Sequence, residues 1–190
     1  MPILRYCLAA ILLVVFSPLA SAAFRDAATG FAIAPPAPFV TEPTTHRTFD
    51  VAVGLRSTTN LPPSVGRSPD GSPPFICQAG FKSAAQNNDL TKAEINAFMA
   101  KPEWRKVIRS TLELVFQIDG ERAFTLQGYR GIELRVRPKA GPGAENVRAL
   151  MSFVETAKGR TTLICLTDRA LFNKALGQFR AVRATLTAPE

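Results

Sequence analysis

Apolar and polar residues alternate along the segment "FDVAVGLRS", residues 49–57. Every second residue from Phe49 to Leu55 is apolar, so this period of two predicts a strand with one buried face. A short strand is also predicted over residues 31–34, and the two prolines that follow end it because proline has no backbone donor. Another apolar run predicts a strand over residues 75–81.

The second half of the chain is mostly predicted sheet. The segment "AFTLQGYRGIELRVRPKAGPG" reads as two strands or one bent strand, with Gly128 and Gly131 at the bend. The segments "VRALMSFVE" and "RTTLICLT" flank "TAKG", which has the length and the glycine of a hairpin loop. The second of these strands is apolar on both faces, which indicates a sheet that is covered on both sides.

Helical spacing appears in three segments. Thr91 and Glu94 in "TKAE" match a capping box that opens a first helix. Pro102 ends that helix or begins the next, in which apolar residues recur from Trp104 to Val115. After Asp168, a cap or first-turn acid, "RALFNKALGQFRAVRATL" predicts an amphipathic helix that ends the chain.

This order of elements predicts the fold class. Strands are followed by a helical pair, by more strands and by a final helix, which favours a single α+β domain with an antiparallel sheet between helical layers. Residues 57–74, with five prolines and two glycines, are predicted to form a long loop between strands. That loop is either a tolerated insertion or a binding lid.

The N-terminus has the three parts of a secretory signal peptide, predicted over residues 1–23. Arg5 supplies the positive charge, an apolar run extends from Leu8 to Phe16, and small residues precede the cleavage point. The apolar run is shorter than the roughly 20 residues that cross a bilayer. We therefore expect a periplasmic or secreted protein whose domain spans residues 24–190, without a transmembrane span in the mature chain; a retained N-terminal anchor is the alternative.

The chain is basic, with 23 lysines and arginines against 15 acidic residues and a formal charge of +8. This balance favours acidic partners or surfaces. Many exported proteins with no nucleic-acid role are equally basic, so no nucleic-acid partner is predicted.

Two cysteines, Cys77 and Cys165, remain after the predicted cleavage. An even count in an oxidising compartment predicts a disulfide, which would require their strands to be neighbours. The alternatives are a thiolate activated by His46, the single histidine, or a zinc site. Because no metal-binding spacing of cysteine or histidine occurs, no metal is predicted.

Basic residues cluster on one predicted strand face. Arg135, Arg137 and Lys139 share that face by period-two spacing, and Arg148 begins the next strand. If the two strands pair, the side chains converge on a site that could hold a carboxylate, a phosphate or an anionic lipid head group. The alternative is a charged outer face that aids solubility. Glu133, on the same face, is predicted to pair with Arg135, Arg137 or a neighbour.

The opening "GFAIAPPAPF", the hairpin "SFVETAKGRTTLICLT" and the final helix "ALFNKALGQFRAVRATL" resemble PsbP-like proteins in their order of elements. The resemblance covers roughly residues 30–187 and implies an α/β/α sandwich, a fold also used by the exported protein DcrB and by a Ran-binding nuclear import factor. Members of this fold act mainly as accessory or interaction proteins. The resemblance therefore implies a non-enzymatic role, but a shared fold does not transfer a function.

The sequence carries no G-x-S-x-G, P-loop or H-E-x-x-H motif, and no cofactor or catalytic residue is predicted. It favours an exported envelope protein of binding or accessory type, with an unidentified envelope protein or anionic ligand as its partner. The alternative is a small periplasmic hydrolase or transferase whose site is assembled from scattered residues near His46 and the proline-rich loop. A domain whose function resides in a neighbouring gene product is a third possibility.

Overall fold

The computed structural model of the protein describes residues 23–59, 74–141 and 143–190. Its strands and helices follow the chain in this order: β1 (Phe24–Arg25), β2 (Ala32–Ile33), β3 (Phe39–Thr44), β4 (Val51–Ser57), β5 (Cys77–Ser83), α1 (Lys92–Ala100), α2 (Pro102–Leu112), β6 (Phe116–Leu126), β7 (Tyr129–Pro138), β8 (Val147–Thr156), β9 (Gly159–Asp168), α3 (Phe172–Ala184) and β10 (Leu186–Thr187).

Strands β3 to β9 form one seven-stranded antiparallel sheet in the order β3-β4-β5-β9-β8-β7-β6. The three short strands β1, β2 and β10 form a second antiparallel sheet. A single α+β domain with an antiparallel sheet is therefore confirmed. The long loop predicted over residues 57–74 begins later than expected, because Ser57 ends β4; residues 60–73 and the predicted signal segment up to residue 22 lie outside the described residues.

Helices lie on both faces of the large sheet. Arg180 of α3 bonds Glu133 of β7, so α3 lies on the face to which Glu133 points. Arg105 of α2 pairs with Glu121 of β6, which stands opposite Leu134, the residue after Glu133. Adjacent residues of a strand point to opposite faces, so α3 and α2 cover different faces. The α1 helix packs beside α2. In residues 23–59, 74–141 and 143–190, no helix combines the length and apolar character that a membrane crossing needs.

The first two helices begin where the sequence predicts. Thr91 and Glu94 form both bonds of the capping box, and Pro102 occupies the first turn of α2. The apolar stripe of α2 is narrower than predicted, because Val107 and Val115 are 62% and 58% exposed. Val115 lies beyond the end of α2, in a turn that leads into β6, so it does not share the face that Trp104 buries.

Two hairpins organise the second half. The predicted "two strands or one bent strand" is two strands, β6 and β7, joined at Gln127 and Gly128, which both have positive φ as a tight hairpin turn requires. The β8–β9 hairpin matches its prediction. Gly159, which has a φ of 147°, passes so close to β5 that a Cβ would lie 2.1 Å from the backbone oxygen of Lys82.

The final helix differs from its prediction at both ends. It begins at Phe172, and the Asp168 carboxylate accepts a hydrogen bond from the Ala170 N–H before the helix starts. After Ala184 the chain forms β10, which pairs with β2. The helix therefore does not end the chain, because Leu186 continues into the small sheet and is buried there.

The outer strands of the large sheet are irregular. One outer strand, β3, contains Pro43, which has no backbone N–H to donate. The other, β6, has a shift in its pairing with β7 between Ile118 and Gly120, which leaves Asp119 without an opposite residue. Such a bulge bends the strand and redirects the extra side chain.

Candidate anion-binding site

The two cysteines lie directly opposite each other on β5 and β9. Their sulfur atoms are 2.02 Å apart and their Cα atoms 4.0 Å apart. Both residues are buried in the core. Sulfurs that are bonded to each other provide neither a nucleophile nor a metal ligand, so the candidate chemistry lies elsewhere.

His46 is exposed in the connection between β3 and β4. Its Nδ1 accepts a hydrogen bond from the Thr48 N–H at 3.2 Å, and its ring lies 4.9 Å from the ring of Phe49. Within the described ranges no carboxylate bonds this imidazole. The cavities described below do not reach it, and the same ranges hold no group of three potential metal-binding side chains.

Strands β7 and β8 bring part of the predicted basic cluster together. Asp119, the bulged residue of β6, stands between two of its arginines: its carboxylate oxygens lie 3.4 Å from Arg137 Nε and 3.9 Å from Arg148 Nε. The contact with Arg137 is an ion pair without hydrogen-bond geometry. The bulge therefore gives the two guanidinium groups one shared counter-ion.

Lys139 lies apart from this cluster. It follows the last residue of β7, and its Nζ donates to the backbone carbonyl of Glu113 at the end of α2. Its backbone N–H donates to the Val115 carbonyl at 3.0 Å. Period-two spacing placed Lys139 with the arginines, but the strand ends at Pro138 and the spacing no longer applies.

A cavity of about 270 Å³, called here the α3 cleft, lies where β6, β7 and β8 meet the start of α3. Its walls are formed by Asp119, Arg135, Val136, Arg148, Arg169, Phe172 and Asn173. In the described part of the chain, Arg135 and Arg169 have no carboxylate partner. Arg148 is held in place because its Nη1 donates to the carbonyls of Glu145 and Val147, at 3.1 and 2.7 Å.

The sequence did not identify Arg169 as part of this site. Arg169 follows the last residue of β9, and its backbone N–H donates to the carbonyl of Asn146 at 2.7 Å. That bond joins the start of β8 to the end of β9. The hairpin prediction for β8 and β9 contained this information, because residues just before one strand and just after its antiparallel partner are neighbours.

Glu133 pairs with α3, not with the arginines of its own strand. It is 1% exposed. Its carboxylate accepts hydrogen bonds from Arg180 Nε, which lies 3.1 Å from each oxygen, and from Arg180 Nη2 at 2.6 Å. Arg183 also donates to it. Burial alone would raise the pKa of Glu133, but the Arg180 hydrogen bond and the charges of both arginines outweigh it and lower the pKa. Of the partners predicted for Glu133, Arg135 and Arg137 do not pair with it; its partners are neighbours from α3, Arg180 and Arg183, because α3 covers this face.

A second cavity, about 250 Å³, adjoins the first on the same face; we call it the β6–β7 cavity. It is lined by Gly120, Glu121, Arg122, Glu133, Arg135 and Arg180. Arg135 therefore lines both cavities. Arg122 has no carboxylate partner among the described residues.

Comparison with solved structures identifies the fold. The solution structure of cyanobacterial PsbP (CyanoP) from Synechocystis sp. PCC 6803 is similar to this chain, with 13% identity, a TM-score of 0.55, and coverage of 90% of this chain and 94% of that one. The crystal structure of PA94, a protein of unknown function from Pseudomonas aeruginosa, has 10% identity and a TM-score of 0.43, over 79% of this chain and 98% of that one. The chain matches no protein-family model and no curated protein. The predicted PsbP-like fold is confirmed.

Proposed function

We propose that this protein is an exported accessory protein that binds a phosphate group in the α3 cleft. The observation that carries the proposal is that Arg135 and Arg169, which have no carboxylate partner in the described part of the chain, line the same cavity as Arg148. Guanidinium groups stay charged at every physiological pH, and their planar donors match the geometry of carboxylate and phosphate oxygens.

The cleft is suited to a compact anionic group. Its volume, about 270 Å³, falls just below the range of roughly 300–1,000 Å³ that is typical of small-molecule pockets. The two carbonyls that hold Arg148 Nη1 fix its guanidinium before a ligand arrives. A group that is already ordered loses less conformational entropy on binding.

Asp119 reduces the positive charge of the α3 cleft without neutralising it. It pairs with Arg137 and Arg148, so one carboxylate is shared by two guanidinium groups. Arg135, Arg148 and Arg169 line the cleft together with Asp119, so its lining carries three positive charges against one negative charge. An incoming anion therefore gains attraction from the cluster, and this attraction weakens as salt is added.

Export is proposed on two grounds. The first is the signal-like pattern at the N-terminus, with Arg5 before an apolar run and small residues after it. The second is the pair Cys77 and Cys165, because disulfides persist in oxidising compartments such as the periplasm and are rare in the cytosol. A binding or accessory role agrees with the PsbP-like fold, whose members act mainly in that way.

The test is a titration of the 15N-labelled mature protein with inorganic phosphate, followed by amide chemical shifts. We expect shifts at residues around the α3 cleft, and an affinity lowered at least tenfold for Arg148→Ser, since a hydrogen bond to a charged group contributes roughly 1.5–3 kcal/mol. The matched control is Arg47→Ser, which removes an equal charge from the exposed β3–β4 connection. Equal affinities for both variants, or no shifts in the wild type, would contradict the proposal.

A second arm of the test distinguishes a free ion from a lipid head group. Sedimentation with vesicles of phosphatidylcholine, with and without phosphatidylglycerol, measures binding to an anionic surface. Arg148-dependent binding to phosphatidylglycerol vesicles identifies a lipid phosphate as the ligand group. Binding of phosphate in solution with no vesicle binding identifies a soluble ligand.

A further inference from the structure

We infer that the ligand carries two linked anionic groups, one in the α3 cleft and one in the β6–β7 cavity, with Arg135 between them. The inference rests on the proposed function and names the class of ligand: a diphosphate or a short polyphosphate. It is carried by one geometric fact, that the Arg135 side chain lines both cavities.

The β6–β7 cavity has its own unpaired cation. Arg122 stands opposite Glu133 in the β6–β7 register, on the face that α3 covers. No carboxylate pairs with Arg122 in the described ranges, because Glu133 is occupied by Arg180 and Arg183. The cavity therefore keeps a positive charge although Glu133 lines it.

The other acidic residue that lines this cavity, Glu121, directs its carboxylate to the opposite face of the sheet, where α2 lies. Glu121 pairs with Arg105 at 3.6 Å and with Arg109 at 3.3 Å, both from α2. Each acidic residue that lines the β6–β7 cavity thus has two arginines as partners. What remains for a ligand is the pair Arg122 and Arg135.

Gly120 leaves the space that allows Arg135 to line both cavities. The two residues are opposite each other on β6 and β7, and a Cβ at position 120 would lie 2.3 Å from Arg135 Nη2. The guanidinium therefore lies against the β6 backbone at Gly120, which has no side chain to block it. A larger residue at position 120 would displace it from this position.

The unpaired guanidinium groups then divide into two sets. Arg169 and Arg135 line the α3 cleft, and Arg135 and Arg122 line the β6–β7 cavity. One compact anion in the α3 cleft leaves Arg122 without a partner. A second anionic group joined to the first gives Arg122 a partner and binds at a high effective concentration, because only the first group pays the full cost of association.

The experiment compares inorganic phosphate, pyrophosphate and tripolyphosphate by isothermal titration calorimetry at constant ionic strength. We expect pyrophosphate or tripolyphosphate to bind at least tenfold more tightly than phosphate. Arg122→Ser should abolish this gain while leaving the affinity for phosphate within about twofold. Arg47→Ser, which removes the same charge from the β3–β4 connection near the other edge of the sheet, should preserve the gain.

Gly120→Ala supplies a second variant that keeps every charge. The added methyl displaces the end of the flexible Arg135 side chain, so the fold should persist and the gain for the linked anions should fall at least fivefold. Circular dichroism and thermal unfolding establish that each variant is folded.

The outcomes separate the two proposals. If phosphate binds through Arg148 but the linked anions bind no more tightly, the inference of two groups is overturned and the proposed function stands. If the gain survives Arg122→Ser, or is lost equally in Arg47→Ser, the second subsite is overturned. If none of the three anions binds, the proposed function fails and the inference fails with it.

Discussion

Arg180 of α3 donates hydrogen bonds to Glu133 of β7 from two nitrogens: Nε lies 3.1 Å from both carboxylate oxygens, and Nη2 lies 2.6 Å from one of them. Glu133 is almost completely buried, whereas the side chain of Arg180 is 32% exposed. The pair therefore joins the interior of the sheet to the surface of the helix that covers it. Arg183 adds a second, more buried donor.

Glu133→Gln should destabilise the fold by about 3 kcal/mol, since removal of one partner from a buried ion pair leaves charges without compensation. Urea unfolding followed by circular dichroism measures the change. Glu42→Gln is the control, because Glu42 forms a single, exposed ion pair with Arg56 and should cost less than about 1 kcal/mol. Equal costs for both variants would show that breaking the buried pair destabilises the protein no more than breaking an exposed one.

The stability of the protein should fall in acid partly because of Glu133. Its pKa in the folded state lies below the ordinary value of 4.5, so it contributes stability at pH values above 4.5 and loses that contribution as the pH falls through the lower folded pKa. Unfolding free energies measured between neutral pH and acid should thus decline less steeply in Glu133→Gln than in the wild type. Parallel curves would contradict the assignment.

Replacement of Cys77 and Cys165 by Ala should lower the free energy of unfolding by up to about 4.5 kcal/mol, since the bridge closes a segment of 88 residues. The affinity for phosphate should not change, because neither cysteine lines the α3 cleft. Denaturant unfolding and the phosphate titration measure these two effects. A folded double variant with unaltered stability would contradict the stabilising role of the bridge.

Two glycine substitutions should have opposite signs. Gly159→Ala places a methyl 2.1 Å from the backbone of β5 at a φ of 147°, so we expect a loss of at least about 2 kcal/mol. Gly177→Ala, in α3 where an added Cβ meets nothing within 4 Å, should stabilise the protein by about 0.5–1 kcal/mol. Thermal unfolding of both variants measures the difference, and a stable Gly159→Ala would refute the close approach of the hairpin to β5.

Local patterns predicted the elements that have a strong period or an obvious boundary. The capping box at Thr91, the β8–β9 hairpin and the alternation in β4 are each determined within about ten residues of sequence. The first part of β6, from Phe116, was missed because an outer strand has no uniformly buried face and so shows a weak apolar pattern. Strand β10 was missed because it depends on pairing with the distant strand β2. Strand β3 was missed because it contains Pro43 and only its first residue is buried, which leaves no alternation to detect.

The candidate site could be predicted only in part, for a related reason. Strand spacing brings Arg135 and Arg137 to one face, and antiparallel pairing adds Arg148. It does not reveal that Asp119 enters from a bulge of β6 or that α3 supplies the partners of Glu133. Those contacts join residues that are far apart in sequence, and only the packed fold brings them together.

The bulge at Asp119 has a consequence beyond the arginines. An outer strand with a continuous row of free N–H and C=O groups invites pairing with another molecule, which is how sheets grow into fibrils. In this protein Pro43 interrupts one outer strand and the bulge distorts the other. Both edges of the large sheet are therefore poor templates for pairing with a strand from a second chain.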